Sequence, residues 1–134
     1  MFLIDTSAWI FALKKNFHPL IKERIDKILS EGDVAINGII ELELLGGVKT
    51  EQEYNRLKSR LDALYYIESA KSLWDRLSRL AFDLKRNGAS IPYTDILIAA
   101  SAIQEKATLL HADSHFDTVT EYSPLKAEGL ASLI

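Results

Sequence analysis

Phe2-Leu3-Ile4-Asp5-Thr6-Ser7-Ala8 sets three apolar residues, an acid and two hydroxyl residues in a row. The apolar trio is short and partly β-branched, which predicts a buried strand. Thr6 or Ser7 is suited to cap a helix from Ala8 to about Lys15. Asp5 therefore falls at the carboxyl end of a strand, at its turn into a helix. Similar units recur along the chain. Val34-Ala35-Ile36 reads as a second strand, followed by an Asn37-Gly38 turn and a short helix from about Ile39 to Leu45. Tyr65-Tyr66-Ile67 reads as a third strand and Thr108-Leu109-Leu110 as a fourth, with Asp113 just beyond it.

The segments between these strands carry helical periodicity. Pro19 suits a first helical turn, Ile21, Ile25 and Ile28 share one face, and Gly32 ends the helix. Thr50 to Glu53 has the capping-box pattern ahead of Tyr54, Leu57, Leu61 and Leu64. Ser69 is placed to cap a long helix to about Arg86, with a stripe of Leu73, Leu77, Leu80 and Leu84. Pro92 precedes a helix from about Thr94 to Lys106, whose alanines Ala99 and Ala100 permit close packing on a sheet. A fifth, edge strand is expected near the end, without a fixed position. Strands alternating with helices define an α/β class: three layers, α/β/α, around a central parallel sheet of four or five strands. Such sheets bind ligands outside the carboxyl ends of their strands, where Asp5 and Asp113 fall. At 134 residues the chain reads as one domain, residues 1–134.

Composition narrows the chemistry. The absence of cysteine excludes disulfides, zinc–thiolate sites and iron–sulfur clusters. The start shows no basic leader, and no apolar run approaches the roughly 20 residues a membrane span needs. The expectation is a soluble, cytoplasmic protein. A net charge of -3 argues against a nucleic-acid footprint over the whole surface. It leaves room for local basic groups, here Lys14, Lys15, Lys22, Arg24 and Lys27, then Lys49, Arg56, Lys58 and Arg60.

The acids carry the functional signal. A carboxylate at the end of a buried strand is costly unless paired, hydrogen-bonded or metal-bound. Asp5 is flanked by Ile4 and Thr6, and Asp95 by Thr94 and Ile96, so neither has a basic neighbour in sequence. Glu41 and Glu43 lie two apart on one helix and so face different ways, one toward a site and the other toward solvent. Asp113 and Asp117 flank Ser114-His115-Phe116. Several acids meeting without lysine or arginine would repel, and a divalent cation relieves that. Oxygen donors suit magnesium or manganese. His18, His111 and His115 lack a zinc-like spacing, Gly46-Gly47 lacks the lysine of a phosphate loop, and no Gly-x-Ser-x-Gly elbow is present.

Four stretches then carry a resemblance: Leu3 to Ile10 with its Asp-Thr-Ser, Glu43-Leu44-Leu45-Gly46-Gly47, Thr94-Asp95 through Ala102, and Thr108 through Phe116. In this order, over about residues 1 to 118, the chain resembles the PIN-domain family, and within it the small VapC-type toxins of toxin–antitoxin pairs. The resemblance implies a PIN-like fold and a Mg2+- or Mn2+-dependent endoribonuclease leaving a 5′-phosphate and a 3′-hydroxyl. It assigns Asp5, Glu43, Asp95 and Asp113 as metal-binding and catalytic acids and favours Glu43 over Glu41. Thr6 and Ser7 support the site. Ser114-His115 stands where relatives often carry further charged residues, so Asp117 is an alternative fourth acid. Lys14, Lys15, Lys49 and Arg56 are candidates to hold the RNA backbone. A cognate antitoxin and a homodimer are implied, with no membrane role. Ile28, Leu29, Tyr54 and Leu57 are candidates for a partner groove, and Trp9 and Phe11 for an aromatic wall near the site. The alternatives are an RNA-processing nuclease of the same fold that is not a toxin, and an inactive protein that binds through an acidic pocket.

Overall fold

The computed structural model describes residues 1–14 and 18–133. In chain order the elements are β1 (Phe2–Ile4), α1 (Thr6–Leu13), α2 (Pro19–Glu31), β2 (Val34–Asn37), α3 (Gly38–Gly46), α4 (Glu51–Leu61) and β3 (Tyr65–Ile67). They are followed by α5 (Lys71–Arg86), α6 (Tyr93–Glu105), β4 (Thr108–His111), α7 (Ser114–Glu121), β5 (Lys126–Gly129) and a 3-10 turn, Leu130–Leu133. The strands form one sheet in the order β3-β2-β1-β4-β5, and every pairing is parallel. Leu3 lies opposite Ala35 on one side and Leu109 on the other.

The strand order explains where a ligand belongs. From β1 the chain steps outward to β2 and β3, then returns to add β4 and β5 on the other side. Right-handed crossovers in these two directions put helices on opposite faces. The helix contacts follow suit: α1 meets α2 and α3, and α3 meets α4, while α5 meets α6 and α6 meets α7. Between β1 and β4 the connections diverge, and in open parallel sheets such a switch point is where the binding crevice lies, at the carboxyl ends of those two strands.

Local chemistry accounts for most boundaries. Pro19 opens α2, Ile21, Ile25 and Ile28 bury its inner face, and Gly32 closes it in the left-handed region at φ 78°. All four residues of β2 are buried, as a strand covered on both faces requires. Leu73, Leu77, Leu80 and Leu84 bury the stripe of α5, while Ile96, Ala99 and Ala100 seat α6. Thr50 caps α4 through the Glu53 amide, but the Glu53 carboxylate reaches back to the amide of Lys49, not Thr50.

Several expectations need correction. The cap of α1 is Asp5, not Thr6 or Ser7: its carboxylate accepts from the Ser7 amide. The residue before α5 is Ala70, which offers no capping side chain, and Ser69 lies one position too early. Ile28 and Leu57 are buried in the core and Leu29 packs against it, so they are not open groove residues. Trp9 is likewise core, and Phe11 is partly buried against it. The end of α1 at Leu13 falls short of Lys15, which lies outside the described residues. The segment after Asp113, to which the sequence pattern assigns no element, forms a helix, α7.

The edge strand β5 is pinned from a distance. Arg24 of α2 donates from Nε and from a terminal nitrogen to the two oxygens of Glu128, both at 2.8 Å. The hydrogen bonds from Arg24, and its charge, hold the Glu128 carboxyl below its usual range. Its stabilising contribution is therefore present above that range and lost as pH falls through the lowered pKa. Since both groups are about one-third exposed, Glu128→Gln is expected to cost roughly 1 kcal/mol at pH 7. Urea unfolding of parent and variant should show the difference shrinking on acidification.

Candidate metal centre

Asp5 leaves β1 at the crevice and is 4% exposed. Its Oδ2 accepts from the Ser7 amide at 3.0 Å and from the Ser7 hydroxyl at 2.5 Å. The Ser7 oxygen in turn accepts from the amide of Ala112, just past β4, at 3.0 Å. One serine thus orients the acid and ties the two strand ends that frame the crevice. Burial raises the Asp5 carboxyl above its ordinary range, and the charge of Asp95 adds to the rise. The bonds from Ser7 and from the Thr6 amide oppose it without cancelling it.

Glu43 arrives from α3. Thr6 donates to its Oε1 at 2.9 Å, so the residue after the first acid positions the second. Partial burial raises the Glu43 carboxyl, opposed by the Thr6 hydroxyl, while the charges of Asp5 and Asp95 raise it further. Glu41 turns away and pairs with Lys58 at 3.1 Å. The two glutamates do face different ways, and it is Glu43 that meets the other acids.

Asp95 sits in the first turn of α6, and Asp113 caps α7 by accepting from the His115 amide at 2.9 Å. His115 Nδ1 lies 2.9 Å from Asp95 Oδ2 and 3.4 Å from Asp113 Oδ1. One donor atom from each of these three residues lies within 4.8 Å of the other two. Asp117 is turned elsewhere: it is 71% exposed and lies 3.6 Å from the buried His111 ring. Lys14, Lys49 and Arg56 are exposed on the surface.

Two polar residues that sequence reasoning left without a role hold the frame. Asn37 caps α3, accepting from the Ile40 amide at 3.0 Å. Its side-chain nitrogen donates to Ser101 of α6 at 3.1 Å, and Ser101 donates to the Leu97 carbonyl. Both are buried, and they fasten the helix carrying Glu43 to the helix carrying Asp95. An asparagine directly ahead of an apolar helix is a cap signature, so Asn37 was legible as more than a turn residue. Its bond to Ser101 was not, because 64 residues separate them.

The donor set fits a hard divalent cation. Carboxylates predominate, with one imidazole nitrogen among them. Among the described residues no basic side chain is among the influences on Asp5 or Glu43, whose charges the fold brings together at an electrostatic cost. A cation between them would offset that cost.

Fold and site together define a parallel α/β domain with a carboxylate-lined crevice at its switch point. A model of the PIN domain matches residues 2–122. Ribonuclease VapC51 of Mycobacterium tuberculosis is 31% identical over 121 residues, 88% of this chain and 84% of that protein. The chain belongs to the PIN-domain family, in its VapC branch. Two solved structures share the fold: VapBC2 from Rickettsia felis bound to a promoter DNA fragment, and a toxin–antitoxin complex from Klebsiella pneumoniae. The first has a TM-score of 0.77 at 23% identity over 96% of this chain and 97% of its own. The second has 0.68 at 20% identity over 85% and 88%.

Proposed function

We propose that this chain is a Mg2+- or Mn2+-dependent endoribonuclease and the toxin of a toxin–antitoxin pair. The observation that carries the reading is the convergence of acids from four separate elements at one crevice, two of them with raised carboxyl pKa values and no basic influence among the described residues. Kinship with a ribonuclease supports RNA as the substrate.

Asp5, Glu43, Asp95 and Asp113 would hold the cation, which when bound supplies Lewis acidity toward a phosphodiester and an activated water. Ser7 keeps Asp5 aimed into the crevice, and Thr6 does the same for Glu43. Asn37 and Ser101 keep the two acid-bearing helices in register. Asp113, not Asp117, is the fourth acid of this scheme, because it shares His115 with Asp95. Lys14, Lys49 and Arg56 serve the RNA backbone, and Lys15 is assigned with them on sequence alone.

The test is incubation of the purified chain with a mixed RNA pool. Cleavage is expected with either cation and none with a chelator. An intact pool under every condition would favour the acidic-pocket binding protein.

The antitoxin has a suitable seat. A groove of about 720 Å³ is lined by Leu42, Leu45, Tyr54, Leu61 and Tyr66, between α3 and α4. Leu42 is 65% exposed and Tyr54 42%, and the ion-paired Glu41, Lys58 and Asp62 also line the groove, a mixed apolar and charged surface that suits an amphipathic helix. Tyr54→Asp is expected to release a stoichiometric small partner from the protein purified from its host, with an unchanged circular dichroism spectrum. Recovery of a free, active enzyme from the parent would replace the toxin reading with that of a processing nuclease. A homodimer belongs to the same proposal and is read by light scattering.

A further inference from the structure

His115 brings the only nitrogen donor to the acid cluster among the described residues. It stands in the first turn of α7, fixed there by the hydrogen bond that its backbone amide donates to the Asp113 carboxylate. Its Nδ1 faces two carboxylates at once, at 2.9 Å and 3.4 Å, and they come from different helix starts. The ring is 42% exposed, so the core does not lock it in one orientation. His111 plays a different part. Its ring is buried, and its Nδ1 accepts from the Asp113 amide at 3.2 Å, so it supports the loop from behind.

We propose that His115 Nδ1 is a ligand of the cation held by these acids, and that it biases the centre toward manganese over magnesium. The inference rests on the reading of the acids as a cation site. Magnesium keeps to oxygen ligands and gives up its waters reluctantly, so an imidazole adds little to its binding. Manganese belongs to the first-row series whose members bind mixed nitrogen and oxygen sites. A nitrogen donor therefore raises manganese affinity by more than magnesium affinity. An acid at position 115 would raise both.

The experiment titrates each chloride salt into metal-free parent, His115→Asp and His115→Ala by calorimetry. Pulsed electron paramagnetic resonance is then recorded on the manganese-loaded proteins. The parent is expected to show nitrogen modulation of the manganese signal, and His115→Ala to lack it. The ratio of manganese to magnesium affinity should fall by about tenfold in His115→Asp. Circular dichroism confirms that each variant is folded. Binding of both cations to the parent without nitrogen modulation, and with an unchanged ratio in His115→Asp, overturns the role of His115 and leaves the acid site standing. Failure of either cation to bind the folded parent overturns the acid site, and this proposal with it.

Discussion

Asp5→Asn is expected to reduce RNA cleavage by more than roughly 100-fold while making the metal-free protein more stable. The two effects have one cause. Asp5 is buried, burial and Asp95 both disfavour its charge, and its carboxyl pKa is raised above the ordinary 3.8. For an acid with a raised folded-state pKa, the favourable contribution is full below the unfolded value. It is lost as pH rises through the folded one. At pH 7 the metal-free fold therefore carries the cost of an ionised, buried carboxylate. Asparagine removes the charge and keeps an oxygen for the amide and hydroxyl of Ser7. The gain in melting temperature should shrink as pH falls through the raised pKa and disappear once the parent carboxyl is itself neutral. A variant less stable than the parent at pH 7 without metal would show that Asp5 serves chiefly as a cap for α1.

The second large effect separates two glutamates that look alike in sequence. Glu43→Gln is expected to lower cleavage by more than about tenfold, because the cation loses a charged ligand. Glutamine keeps an oxygen for the Thr6 hydroxyl, so the fold should not suffer. Glu41→Gln is expected to leave cleavage within about twofold and the melting temperature nearly unchanged, since its exposed partner Lys58 also holds Asp62. Initial rates on one RNA, at equal protein and metal, decide between them. The reverse order would place Glu41 in the crevice.

How far the sequence discloses this arrangement depends on the range of the interaction. Short apolar runs marked β1, β2 and β4 because those strands are buried, aromatic and β-branched residues marked β3, of which only Ile67 is buried, and apolar periodicity marked α2, α4 and α5. The strand β5 escaped placement because Lys126-Ala127-Glu128-Gly129 has no apolar alternation. It is an edge strand, paired on one side and held by Arg24 more than a hundred residues away. The helix α7 escaped because Phe116 and Val119 supply its only buried residues, too few for a visible stripe. That omission mattered, since α7 is what carries His115 to Asp95.

Within the site, local signals were readable and long-range ones were not. Asp5 and Asp113 announced themselves by lying just past buried strands, and the spacing of Glu41 and Glu43 required that they diverge. Which glutamate turned inward depended on Thr6, 37 residues distant from Glu43. The choice between Asp113 and Asp117 depended on a cap. Asp113 is held at the start of α7 beside His115, whereas Asp117, a turn further on, points toward His111. The expected aromatic wall loses Trp9 for a simpler reason: Trp9 follows Ala8 on the buried side of α1.

The most direct test of the acid cluster as a cation site is thermal unfolding at pH 7 with and without added magnesium or manganese, on the parent and on Asp95→Asn. A ligand that binds only the folded state stabilises it by about 2.7 kcal/mol at 100 times its Kd, a shift of several degrees for a domain of this size. The parent is predicted to show that shift with each cation, and Asp95→Asn to lose most of it. Equal shifts in parent and variant, or none in either, would contradict the assignment.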